Sequence, residues 1–218
     1  MAERFELVVF DWDGTVLDSA AAIVRSIVAA CRDLGLPEPT EERARYVIGL
    51  GLGDALRHAV PELAERDYPS MVERYRHHYL SSDHELTLFP GVADTIEWLA
   101  GQDRLLAVAT GKSRAGLNRA LEHSGLGRLF HSTRCGDECF SKPHPAMLEQ
   151  IMAELGVMPE RTLMIGDTTH DMQMAVNAGV SGLAVTFGAH PADALRTAAP
   201  LACVDTPREL DAWLRTNI

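Results

Sequence analysis

The chain has 218 residues, 46% hydrophobic and 23% charged, with a formal net charge of −11. That length holds one sizeable core, or one core and a small insert, and the composition is that of an ordinary globular protein. The acidic balance argues against a nucleic-acid or anionic-membrane surface, which needs basic patches, but not against a small phosphorylated partner held by local charge.

Leu7 to Phe10 is a continuous apolar run and reads as a strand buried on both faces of a parallel sheet. Asp11 and Asp13 follow where that strand should leave the sheet, Gly14 lets the backbone turn sharply, and Thr15 and Ser19 can hydrogen-bond the turn locally. In an open α/β sheet, ligands bind beyond the carboxyl ends of the strands. Two acids at that place with no base between them point to a divalent cation.

Ile23, Ile27, Cys31 and Leu34 then recur at helical spacing, up to Gly35 and Pro37. Thr40 starts another helix, the flexible stretch Gly49-Leu-Gly-Leu-Gly53 follows, and helices are expected over Asp54–Val60 and from Pro61 to about Leu80. Nothing in this stretch patterns as a strand, so residues 18–86 read as an all-helical insert. Alternation resumes at Phe89-Pro-Gly91. Strands are expected at Arg104–Ala109, Leu129–Arg134, Thr162–Ile165 and Gly182–Thr186, with an edge strand at Leu201–Val204 and helices between them. The pattern predicts a three-layer α/β core with a doubly wound parallel sheet, formed by residues 1–17 and 87–218, and a helical cap over 18–86. Both joints lie beside the two acids, which is the arrangement of a lid.

No apolar run approaches the roughly 20 residues of a membrane-spanning helix. The chain enters its first strand directly, with no secretory pattern before it. Cys31, Cys135, Cys139 and Cys203 are too few and scattered for a disulfide framework, and the Cys135-x3-Cys139 spacing is loose for zinc. A cytoplasmic setting is expected.

Polar residues collect at the predicted strand ends: Asp11 and Asp13, then Thr110-Gly111, then Lys142 before a helix, then Gly166-Asp167-x3-Asp171. Singly, each also reads as a cap, a turn or a solvated side chain. In this order they resemble the haloacid dehalogenase superfamily of phosphotransferases. The helical insert is similar to that of its members with a small helical cap. Asp13-Gly-Thr-Val-Leu-Asp-Ser19 and Lys142-Pro-His-Pro145 are similar to phosphoglycolate phosphatase-like hydrolases.

The resemblance implies a Mg²⁺-dependent phosphatase of small phosphomonoesters acting through an aspartyl phosphate. Asp11 would be the nucleophile, since a carboxylate is already ionised near neutral pH. Mg²⁺ held by Asp11, Asp167 and the Asp13 backbone carbonyl would offset the repulsion between two anions. Lys142 would steady the phosphoryl oxygens, and Asp13 would serve as acid and base. Thr110 and Gly111, with the backbone N–H groups at Trp12, Asp13 and Gly14, would cradle the phosphate. Asp171 would orient a metal-bound water or Lys142. Trp12's ring reads as packing. In the cap, Arg45 or Arg57 could grip a substrate carboxylate bidentately. A phosphosugar mutase or an inorganic pyrophosphatase would keep the same core residues. A phospho-accepting signalling receiver would lack the cap and the second acid. The expected partner is a small phosphorylated metabolite, with the chain a monomer or homodimer.

Overall fold

The computed structural model describes residues 5–218. Six strands, β1 (Leu7–Phe10), β2 (Leu105–Thr110), β3 (Ser132–Cys135), β4 (Thr162–Gly166), β5 (Ser181–Val185) and β6 (Ala202–Val204), form one sheet in the order β3-β2-β1-β4-β5-β6. Every pair is parallel. The continuous apolar run of β1 follows from its central place: it pairs with β2 and β4, and all four residues are buried.

The period-two alternation of a strand sorts its side chains between two helical layers. Val8 and Phe10 face one cluster with Ile96 and Leu99 of α5 (Val92–Ala100), Leu117 of α6 (Arg114–Ser124) and Leu210 and Leu214 of α10 (Pro207–Asn217). Leu7 and Val9 face the other, with Met147 and Ile151 of α7 (Ala146–Leu155) and Met174 of α8 (Thr169–Asn177). The core is thus a three-layer α/β fold, with the short α9 (Ala192–Thr197) beside β6. Among the described residues, no helix is long and apolar enough to cross a membrane.

Between β1 and α5 run four helices: α1 (Ala20–Asp33), α2 (Glu41–Tyr46), α3 (Leu52–Ala59) and α4 (Tyr68–Ser82). They bury a separate apolar cluster that includes Ile27, Val47, Ile48, Leu56 and Met71. Thr40 caps α2 by accepting from the Arg43 N–H at 3.2 Å. The chain leaves and re-enters the core side by side: Asp18 N donates to Thr87 O at 3.0 Å and Phe89 N to Val16 O at 3.0 Å. The sequence pattern suggested one helix from Pro61 to about Leu80, but the structure begins it at Tyr68, after a 3₁₀ turn over Glu65–Asp67. Pro69 explains the shift, because its ring and missing N–H are tolerated only in a first turn. The strand expected from Leu129 likewise begins later, at Ser132, because Leu126–Leu129 forms a 3₁₀ turn after α6.

Candidate active site

At the carboxyl end of β1 the Asp11 carboxyl is fully buried, and neither of its oxygens receives a well-aligned hydrogen bond. The Lys142 ammonium lies 2.8 Å from Asp11 Oδ1 as a charge. It directs its hydrogen bond at Asp171 Oδ1, 2.6 Å away. Asp167, at the end of β4, accepts from Thr15 Oγ1 at 2.9 Å and from the Ala189 N–H at 2.7 Å. Asp171 is anchored by Thr168, whose N–H and hydroxyl donate to Oδ2 at 3.1 and 2.6 Å while Thr168 Oγ1 accepts from the Asp171 N–H. That reciprocal cap fixes the first turn of α8 and aims the carboxylate at the lysine.

Asp11, Asp167 and Asp171 offer ligand oxygens that all lie within 4.8 Å of one another. One ammonium faces these three buried carboxyls. Burial, together with the charges of Asp171 and Asp167, holds the Asp11 carboxyl well above the usual carboxylate range, against the pull of Lys142. Burial and the charge of Asp171 push Asp167 up to about 7. Lys142 goes the other way: burial opposes its charge, but Asp11 and Asp171 outweigh it and raise its pKa. Hard oxygen donors, orphaned Asp11 oxygens and surplus negative charge fit a divalent cation. The residues that would hold it are Asp11 and Asp167, with Asp171 close at hand.

Space for these carboxylates is made by glycines. Gly14 has φ 84°, and a Cβ there would run into the carboxylate of Asp167. A Cβ on Gly188 would overlap Asp167 from another side. Among the described residues, the backbone N–H groups of Trp12 and Asp13 have no acceptor, so both remain free for a phosphoryl oxygen. The Trp12 ring is fully buried and packs edge-on against Phe130 at 6.2 Å, in the cluster that also holds Phe10 and Leu117.

The Asp13 carboxylate points away from the three-acid cluster. Its Oδ1 accepts from Ser19 Oγ at 2.6 Å and sits 2.9 Å from Lys112 Nζ. Lys112 in turn donates to Tyr79 Oη of α4 at 2.9 Å and lies over that ring, 4.8 Å from its centroid. Burial opposes the Lys112 charge, but Asp13 and Tyr79 raise its pKa. Thr110, at the end of β2, is fully buried and accepts from the Lys112 N–H at 3.2 Å.

The loop between α2 and α3 rests on these strand ends. The Tyr46 carbonyl accepts from two imidazoles, His170 Nε2 at 2.7 Å and His190 Nε2 at 3.0 Å. Burial lowers both pKa values, that of His190 to about 4, so each ring is neutral and carries its proton on Nε2. Farther along the loop, the Gly51 N–H donates to Ser141 Oγ at 2.9 Å. The Leu50 and Gly49 carbonyls press on Gly111, where an added Cβ would lie 2.6 Å from Gly49 O and closer still to Leu50 O. Gly111→Ala is therefore expected to lift the loop and lower kcat/KM about 100-fold, the scale of an ångström-sized misplacement. Steady-state kinetics check this; an unchanged kcat/KM would mean that turnover does not need the loop on Gly111.

Asp11, Asp13, Thr110, Lys142, Asp167 and Asp171 thus converge at one sheet edge. Arg45 and Arg57 do not. Arg45 pairs with Glu41 at 3.0 Å; Arg57 lies 3.7 Å from Asp54 and over the Tyr68 ring. Neither lines the cavity between cap and core. Sequence reasoning missed Lys112, Tyr79, His170 and His190. Lys112 carried one legible signal, its place two residues after Thr110 at a strand end. The two histidines and Tyr79 carried none, because distant segments bring them in. Cys135 lies in the core, where burial pushes its thiol up to about 12. Cys139 instead donates to Gln150 at 3.3 Å, and both thiols are free.

The family model for haloacid dehalogenase-like hydrolases matches residues 8–185. A protein of Dickeya dadantii named "Probable phosphatase IndB" is 39% identical over 211 residues, covering 94% of this chain and 91% of its own length. A phosphoglycolate phosphatase of Aliivibrio fischeri is 33% identical over 197 residues, covering 86% of this chain and 87% of its own. The crystal structure of a predicted phosphoglycolate phosphatase from Haemophilus somnus superposes with a TM-score of 0.88 at 26% identity, and the match covers 100% of both chains.

Proposed function

The chain belongs to the haloacid dehalogenase-like hydrolases and is a phosphoric monoester hydrolase, and on that footing we propose that it cleaves small phosphomonoesters with Mg²⁺ through a phosphorylated Asp11. The observation that carries this reading is Asp11 itself: a fully buried carboxyl with unbonded oxygens, beside Lys142 and two further acids. Asp11 Oδ attacks phosphorus and the bond to the alcohol oxygen breaks. Asp13 gives a proton to the departing oxygen. It then takes one from the water that attacks the aspartyl phosphate, releasing inorganic phosphate and restoring both acids. Lys142, Thr110 and the free N–H groups of Trp12 and Asp13 stabilise the equatorial oxygens. Asp11, Asp167 and the Asp13 carbonyl would hold the divalent ion, which would supply positive charge against which two anions can meet. Asp171 positions Lys142 through their hydrogen bond.

Residues 1–17 and 87–218 act as the catalytic unit in this reading, with 18–86 as its lid. Two features support that division: the side-by-side joints at Asp18 and Phe89, and the separate apolar cluster of α1–α4. The substrate is a small phosphorylated metabolite in the cytoplasm, in line with the phosphoglycolate phosphatases among the relatives.

The cation requirement gives a direct test. Excess chelator should stop hydrolysis, and an undiminished rate would count against the metal. A second readout needs no turnover. Asp11 and Asp167 have raised pKa values in the fold, so metal-free stability from these groups is present below the ordinary carboxylate pKa of about 4 and is lost as pH rises through the folded values. Mg²⁺ should therefore raise the melting temperature more at pH 8 than at pH 5, by mass action on the native state. Asp167→Asn should largely remove that difference. A pH-independent shift in the wild-type protein would place the ion elsewhere.

A further inference from the structure

Asp13 opens on a cavity of about 320 Å³ between the cap and the strand ends. That volume is at the lower end for pockets that enclose a drug-sized organic molecule, and far more than a two-carbon acid fills. Its floor is polar, formed by Asp13, Gly111 and Lys112. Its walls are not: Ile23 and Ile27 of α1, Leu52 and Leu56 of α3, and Leu80 of α4 line it. Tyr75 and Tyr79 also line it, stacked on each other at 6.0 Å with rings 22° from parallel.

The polar side chains of this cavity are mostly spoken for. Lys112 is shared between Asp13 and Tyr79, Arg119 lies 3.7 Å from Asp83, and Asp137 accepts from the Arg114 N–H at 2.9 Å. Arg76 stands exposed at the mouth, where water screens it. Arg45 and Arg57, the two cationic groups suited to clamping a substrate carboxylate, lie outside the cavity altogether. A short anionic leaving group such as glycolate would meet hydrocarbon walls and a lysine already engaged. A leaving group with a hydrocarbon or ring face would displace water from those walls.

From this we infer that the substrate class is phosphomonoesters whose alcohol presents a bulky apolar or ring face. That face seats against α1, α3 and the Tyr75–Tyr79 pair, and the phosphoryl group lies at Asp11. The inference rests on the phosphatase reading of the same site and names the part of the substrate that reading leaves open.

The test is a set of kcat/KM values measured with Mg²⁺ for the primary alkyl phosphates from ethyl to hexyl, for 2-phenylethyl phosphate and for phosphoglycolate. The primary alkyl leaving groups are closely matched in reactivity, so the trend reports seating of the alcohol. Each added methylene should raise kcat/KM about three- to fourfold until the cavity is filled. The phenylethyl ester should fall with the longer alkyl esters, and phosphoglycolate at or below ethyl phosphate. Leu80→Gln, at a position 42% exposed and so undemanding of the fold, should cut the hexyl-to-ethyl ratio about fourfold or more. A flat series with measurable turnover, a preference for phosphoglycolate, or an unchanged ratio in Leu80→Gln would overturn the inference and leave the phosphatase reading standing. No turnover of any ester would overturn both.

Discussion

Asp11→Asn is expected to lower turnover of every phosphomonoester by about 10⁴-fold or more, the scale seen when a catalytic nucleophile is removed, while the protein keeps its fold. The amide has the shape of the carboxyl but no charge to attack phosphorus. The fold survives because the Asp11 charge is a burden on it: the group is fully buried, lacks aligned hydrogen bonds, and is held well above the usual carboxylate range by burial. In chelator the variant should melt at or above the wild-type temperature. Single-turnover kinetics and thermal melts read the two halves separately. A retained rate would remove Asp11 from the nucleophile's role, and early melting would show that its charge supports the native state.

Lys142→Met is expected to damage both function and stability. Lys142 is the ammonium shared by Asp11 and Asp171, with all three side chains buried. Its loss leaves those carboxyls and Asp167 without a counter-charge, the situation in which removing one partner of a buried pair costs about 3–5 kcal/mol. The rate should fall about 10²- to 10³-fold, the usual effect of losing one charged stabiliser of a transition state. The stability loss should depend on pH with a definite sign. Asp11 and Asp167 titrate high in the fold, so they are neutral at low pH and their share of the deficit is small near pH 4. It grows as pH rises past their folded values, through about 7 for Asp167. Denaturant melts at pH 5 and pH 8 test this, and adding Asp171→Asn should recover part of the loss at pH 8. An equal deficit at both pH values would mean that packing, not charge, is what the lysine supplies.

The parts of this molecule that the sequence made legible are those set by local pattern. The apolar run Leu7–Phe10 is readable because a central parallel strand needs no polar face, and its end places Asp11 and Asp13 at the sheet edge. Asp167 was readable by the same logic of strand ends, and Lys142 by its place in the loop before α7. The two arginines expected to grip a carboxylate lie outside the cavity for a reason also present in the sequence. Glu41 stands four residues before Arg45, and Asp54 three before Arg57, so each cation has a partner on its own helix and stays outside. Tyr79 and Lys112 meet across 33 positions, and His170 reaches Tyr46 across 124; no periodicity encodes such encounters. The late start of α4 was signalled by Pro69, a residue whose effect is local.

The placing of β1 at the centre of the sheet has a consequence for how the chain is made. Its partners begin at Leu105 on one side and Thr162 on the other. During synthesis the first strand and the four cap helices emerge long before either neighbour exists. The helices can associate at once, since their apolar cluster is drawn mostly from nearby residues, but Leu7–Phe10 has nothing to pair with. Contacts of such long sequence separation form slowly and leave sticky backbone edges in the interval. One edge of Leu7–Phe10 is therefore covered only once β2 has been made, about halfway along the chain, and the other only once β4 has been made, about three-quarters of the way.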